Sequence, residues 1–235
     1  MLAFSDVPYK ERIIVALDCD KQRALELADM LAGKATWMKV GLTLFLAEGA
    51  PIINELKSRG FKVFLDLKLH DIPHQVRGAA ASLVGLGADM LTVHTSGASD
   101  MMKAALEGVA DSDNPPAVIG VTVLTSMDAQ DLEDLGISRP MELQVTELAQ
   151  LAKRSGLSGV VASPMEAATL RELLGPDALI VTPGVRPAGS DVGDQSRVAT
   201  PAAAFEAGAS HIVIGRPITE ADDPAAAFDS IVEGL

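Results

Sequence analysis

Eight short β-rich runs separated by helical stretches, strand interiors that are apolar almost throughout, and 235 residues of 48% hydrophobic composition predict an α/β protein. The fold expected is a single (β/α)8 TIM barrel over residues 1–235. The runs are residues 13–18, 37–41, 62–68, 90–94, 117–124, 159–163, 179–185 and 211–218. An open doubly wound sheet is the competing architecture. It wants fewer strands and a glycine-rich fingerprint after the first, where this chain has Ala16-Leu17-Asp18-Cys19-Asp20. No linker, low-complexity tract or second domain is visible.

The first run ends at Asp18. Asp20 then caps a helix in which Ala24, Leu27, Ala28 and Leu31 repeat at helical spacing before Gly33. The second run carries Lys39 near its end, and Pro51 leaves the helical boundaries of the following stretch open. In the third run Val63-Phe64-Leu65 leads into Asp66 and Lys68, with Asp71 just beyond. Alternation along a strand puts Phe64, Asp66 and Lys68 on one face and Val63, Leu65 and Leu67 on the other. The fourth run ends at His94 and the fifth is followed by Thr125-Ser126. Arg186 follows the seventh, and Gly215-Arg216 lie late in the eighth. Barrels of this class work at the carboxyl ends of their strands, so this ring of polar residues describes a polar mouth on an apolar barrel.

A net charge of −13 argues against a nucleic-acid partner, and aromatic side chains are too scarce for a base-stacking platform. No apolar run is long enough to span a bilayer, and residues 1–12 lack a basic-then-apolar leader pattern. The single cysteine, Cys19, can form neither an intramolecular disulfide nor a cysteine zinc cluster. A small hydrophobe in a reduced cytoplasm is the expectation for it. An anionic small molecule would need local cations, which draws attention to Lys39, Lys68, Arg186 and Arg216.

A carboxylate and an ammonium on one strand face are costly to bury unless paired. Asp66 and Lys68 could be an ion pair that merely closes a barrel end. With Lys39 and Asp71 they form an array of alternating sign, which suits holding a lysine protonated in a desolvated pocket. Such a lysine donates protons and stabilises a developing carbanion, whereas imine formation wants a neutral amine. A second constellation runs from Pro183-Gly184-Val185-Arg186 through Gln195 to Gly215-Arg216. Loops after the seventh and eighth strands are the usual phosphate site of this fold. Residues 186–197 read as a polar, glycine-bearing lid or as an ordinary turn-rich loop. His94 reads as a strand-end hydrogen-bonding residue and Ser126 as either a helix cap or a ligand for a polar ring edge. His70 and His74 flank Asp71 without metal-ligand spacing, so no metal is expected.

These motifs together resemble the bacterial type of the orotidine 5′-phosphate decarboxylase family. The resemblance spans the whole chain and rests on Asp66-x-Lys68-x-x-Asp71-Ile72-Pro73, Ala16-Leu17-Asp18, Lys39-Val40-Gly41, Leu124-Thr125-Ser126, Pro183-Gly184-Val185-Arg186 with Gln195, and Ile214-Gly215-Arg216-Pro217. It implies a homodimeric cytoplasmic carboxy-lyase of pyrimidine (UMP) biosynthesis that uses no metal or organic cofactor. By the same resemblance Lys68 protonates C6 of the pyrimidine as carbon dioxide leaves, and Asp66 belongs to the charge network. Asp71 comes from the neighbouring subunit, close to the substrate carboxylate and ribose, with Ile72 beside it. Asp18 and Lys39 would meet ribose hydroxyls, Thr125 and Ser126 the ribose and pyrimidine side, and Arg186, Gln195, Gly215 and Arg216 the phosphate. Pro183 also belongs to the binding set. One position departs: where the family has threonine after Asp-Ile-Pro-x, this chain has the longer Gln75.

Two other readings use the same residues. A magnesium-dependent sugar-phosphate decarboxylase or aldolase shares Asp-x-Lys-x-x-Asp, but resembles Asp-Ala-Gly after the motif instead of Ile72-Pro73. A non-catalytic pyrimidine nucleotide-binding barrel would not need so costly a charge array.

Overall fold

The structure, a computed structural model, describes residues 4–187 and 199–235. Eight parallel strands, each bonded to the next and the last to the first, close a barrel. They are β1 (Ile13–Ala16), β2 (Trp37–Gly41), β3 (Lys62–Leu69), β4 (Met90–His94), β5 (Ala117–Val121), β6 (Gly159–Val161), β7 (Leu179–Thr182) and β8 (His211–Ile214). Around them run α1 (Lys21–Leu31), α2 (Leu42–Glu48), α3 (Ala50–Ser58), α4 (Pro73–Val84), α5 (Ala98–Val109), α6 (Ala129–Asp134), α7 (Met141–Arg154), α8 (Ala167–Leu174), α9 (Pro201–Glu206), α10 (Arg216–Thr219) and α11 (Pro224–Glu233).

The expected fold is therefore the observed one, and local chemistry explains its punctuation. Asp20 caps α1 by accepting from the Arg23 amide, and Ala24, Leu27, Ala28 and Leu31 are its buried face. Pro51 splits the stretch after β2 into two helices, because proline is tolerated only in the first turn, where it stands in α3. Five strands end earlier than expected, where polar or proline-bearing segments leave the barrel: the first stops at Ala16, not at residue 18, and the sixth at Val161, not at residue 163. The fifth stops at Val121, not at residue 124, and the seventh at Thr182. Gly215 and Arg216 are not in the last strand: β8 ends at Ile214, Gly215 occupies the cap position and Arg216 begins α10.

Strand alternation divides the apolar residues into two layers. Inside the barrel stand Ile14, Trp37, Phe64, Met90, Ile119, Val121, Val161, Val181 and Val213. Outside, Ile13, Val15, Val63, Leu65, Leu67, Leu91 and Val93 pack against the helices. Burying both faces is why these strands are apolar almost continuously. Close strand packing also explains Gly159, since a Cβ there would lie 1.9 Å from the Leu179 carbonyl oxygen.

β3 departs from a regular ladder. Leu65 pairs with Leu91, but the next pair is Leu69 with Val93. Residues 66–68 thus stand opposite Thr92 alone, and Lys68 takes a positive φ of 51°. This bulge sits on the Asp-x-Lys segment itself, at the rim of the barrel, where bulges re-aim side chains.

Candidate active site

Above the apolar interior, at the carboxyl ends of the strands, lies a cavity of about 670 Å3. Its floor is apolar, with Ala16, Phe64, Val121, Val161 and Val213, and its walls carry the charges. Asp66 and Lys68 both reach it from β3 and Lys39 from β2. Asp18 stands just past the end of β1, while Thr125 and Ser126 lie in the segment after β5. Pro183 and Arg186 follow β7, and Gly215 and Arg216 follow β8.

The charges form a connected array. Lys68 Nζ donates to Asp66 Oδ2 at 2.8 Å, and Lys39 Nζ lies 3.8 Å from the same oxygen. Lys39 also donates to Asp18 Oδ1 at 2.9 Å. Exposure falls steeply inward: the Asp18 side chain is 67% exposed, Lys39 only 10% and Asp66 13%. The Asp66–Lys68 contact is therefore more than an ion pair closing the rim, because it opens onto a cavity and is shared with a second ammonium. Gly41 leaves room for the pairing: a Cβ there would come within 3.1 Å of Lys39 Nζ and 3.3 Å of Asp18 Oδ1.

Thr92, which sequence reasoning did not single out, completes the array. It is fully buried, accepts from the Lys68 amide at 2.8 Å and donates to Asp66 Oδ1 at 3.1 Å. Its only signal in the sequence was alternation on the fourth run, which turns Met90, Thr92 and His94 to the same side. Arg23 and Cys19 also line the cavity. Arg23 donates to the Thr219 carbonyl, tying α1 to the C-terminal end of α10. Cys19 is half-buried instead of a core residue, and burial followed by Asp20 and Asp18 raises its pKa, so the thiol is the resting form.

His94 ends β4 with its ring 5.3 Å from that of His70. Burial, then the electrostatic influence of the neighbouring His70 and Lys68, lowers its pKa, which keeps the imidazole neutral. Among the described residues no group of three or more His, Cys, Asp or Glu side chains is placed to hold a metal ion.

Not every predicted residue meets the others within one chain. Asp71, Ile72 and Gln75 are exposed and do not line the cavity; Asp71 accepts from the Ile72 amide, and Ile72 is 63% exposed. Gln195 lies outside the described residues, as does most of the expected lid over 186–197. The two flanks of that stretch are joined, since Val185 bridges Ala199 and the Arg186 amide donates to the Ala199 carbonyl at 3.0 Å.

A family model described as orotidine 5′-phosphate decarboxylase / HUMPS matches residues 11–231. A protein of Moorella thermoacetica named orotidine 5′-phosphate decarboxylase is 52% identical over 94% of this chain and 91% of its own length. One of the same name from Cutibacterium acnes is 50% identical over 94% of each chain. The crystal structure of orotidine 5′-phosphate decarboxylase from Lactobacillus acidophilus superposes with a TM-score of 0.83 at 40% identity, covering 95% of this chain and 98% of that one.

Proposed function

This chain belongs to the orotidine 5′-phosphate decarboxylase / HUMPS family, and we propose that it is a carboxy-lyase converting orotidine 5′-phosphate to uridine 5′-phosphate and carbon dioxide in de novo pyrimidine biosynthesis. The observation that carries this reading is the convergence of Lys39 and Lys68 on one oxygen of Asp66 at the cavity wall. Breaking the bond between C6 and the carboxylate leaves an electron pair on C6 with little resonance relief. Only interactions stronger in that transition state than in the ground state lower the barrier. The Lys68 ammonium supplies positive charge as the pair develops, then its proton forms the new C6–H bond. The neutral amine regains a proton from water. Asp66 aims Nζ through their 2.8 Å hydrogen bond.

The remaining residues bind. Asp18 and Lys39 take ribose hydroxyls, and Thr125 and Ser126 the ribose and pyrimidine side. Pro183 borders the site, and Arg186, Gln195, Gly215 and Arg216 take the phosphate. Phosphate binding is remote from the broken bond, so its energy serves closure and exclusion of water. The reading requires no metal or organic cofactor and treats residues 1–235 as one catalytic domain acting in the cytoplasm. It needs neither a nucleic acid nor a membrane; among the described residues no helix is long and apolar enough to cross one.

Orotidine 5′-phosphate absorbance should be lost on mixing with protein treated exhaustively with chelator. Turnover that disappears with EDTA and returns with magnesium would move the chain to the sugar-phosphate branch. Tight nucleotide binding without turnover would make it a sensor.

The exposed Asp71, Ile72 and Gln75 complete the site of a second copy in this reading, as a two-fold homodimer. Lys68→Ala and Asp71→Ala proteins should each be nearly inactive. In a mixed dimer both lesions fall in one site and the other is intact. Unfolding, mixing and refolding should restore about a quarter of wild-type activity, because about half the dimers are mixed. Confirmed exchange with activity still at the mutant baseline would mean that Asp71 serves its own chain.

A further inference from the structure

We infer that Thr92 is the positioning residue of the charge array, its buried hydroxyl holding Asp66 and the main chain of Lys68 in the geometry that aims the Lys68 ammonium. A hydroxyl has one proton to give and lone pairs to receive. The Lys68 amide donates to Thr92 Oγ1 at 2.8 Å, so the hydroxyl proton goes to Asp66 Oδ1, 3.1 Å away. Asp66 Oδ2 in turn accepts from Lys68 Nζ at 2.8 Å. The loop is closed: Lys68 is held by its backbone through Thr92 and by its side chain through Asp66, and each hold depends on the other.

This loop occupies the β3–β4 bulge. There Lys68 has a φ of 51°, a left-handed conformation that disfavours a residue with a Cβ and persists only where surroundings enforce it. The register skip from Leu65–Leu91 to Leu69–Val93 leaves Thr92 opposite the displaced segment, and its hydroxyl receives the amide there. Thr92 has no exposed surface and does not line the cavity, so it acts through Lys68 and Asp66, not on the substrate.

The inference rests on the decarboxylase reading, and its test separates the two. Thr92→Val keeps the side-chain shape and removes the hydroxyl, whereas Thr92→Ser keeps the hydroxyl. For T92V, kcat with orotidine 5′-phosphate should fall about a hundredfold, as for a displacement of about 1 Å at reacting groups. KM and calorimetric affinity for uridine 5′-phosphate should stay within about threefold, the mark of an interaction used in the transition state. Amide hydrogen exchange at Lys68 should accelerate in T92V, and T92S should restore both kcat and exchange. T92V with near wild-type kcat, T92S as impaired as T92V, or unchanged exchange at Lys68 would each overturn the inference. Should T92V not fold, T92A and T92S give the same comparison. If the wild-type protein does not decarboxylate, the functional reading fails, and exchange at Lys68 alone decides whether Thr92 holds the bulge.

Discussion

The two ends of the barrel use charge in opposite ways. At the amino-terminal end two arginines are spent on the protein's own backbone. Arg12 donates to the carbonyls of Ser210 and Ala209 at 2.9 and 2.8 Å, and Arg171 to those of Gly175, Pro176, Ala178 and Gly208. The Arg12 guanidinium also lies 4.3 Å from the centre of the Phe205 ring. His211 fills the barrel there, edge-on to Trp37, and burial aided by the charges of Arg12 and Lys62 lowers its pKa to about 3. At the carboxyl-terminal end Lys39, Asp66 and Lys68 pair with one another and border a cavity. Cations bonded to fixed carbonyls make a seal. Cations that share a carboxylate keep hydrogen-bonding capacity for something that enters.

Three measurements would break or sharpen this contrast. The largest effect is expected at the mouth: Lys68→Ala should lose at least about 10³-fold in kcat, since in the proposed mechanism the group combines electrostatic stabilisation with proton transfer. Affinity for uridine 5′-phosphate should change far less. Single-turnover decarboxylation checks it, and a variant within tenfold of wild type would remove Lys68 from the chemistry.

Arg216→Ala comes next. The 5′-phosphate substrate should bind about 1.5–3 kcal/mol more weakly, the worth of a hydrogen bond between charged groups. The unphosphorylated nucleoside should be little affected. Equal penalties for both ligands would place Arg216 away from the phosphate.

The smallest effect concerns the seal. Burial holds the His211 imidazole at about 3 in the folded barrel, against 6.5 for an ordinary histidine, so the unfolded chain binds a proton that the folded one refuses. Its contribution to stability is therefore complete above the unfolded value and declines as pH falls below it toward the folded value. Between about pH 7 and about pH 5.5 the loss from this group should be about 1 kcal/mol. Urea titrations of wild type and His211→Phe at both pH values would show it. Identical pH dependence in the two proteins would mean that the buried imidazole is not what resists acid.

Much of the mouth was legible because its signals are local. A charged residue ending an apolar run is visible in a short window, and so are Asp18, Lys39, Asp66, Thr125 and Arg186. The rest was hidden for different reasons. Thr92 looks like any β-branched strand residue until β3 bulges against it. Gly215 and Arg216 read as strand because Ile212-Val213-Ile214 runs straight into them, and only proline in the first turn of α10 marks the change. Arg12 was unremarkable, because its carbonyl partners lie 197 and 198 residues away.

By itself, then, the sequence determined the alternation of strand and helix, the two-faced burial of the strands and the identity of the charges at their ends. These follow from side-chain periodicity and from the cost of burying unpaired charge, which act over a few residues. Tertiary structure alone decided the register skip between β3 and β4, the bulge that turns Lys68 left-handed, the hydroxyl that meets it and the seal around His211. Each depends on which distant backbone comes within hydrogen-bonding reach, a property of register that no local window contains.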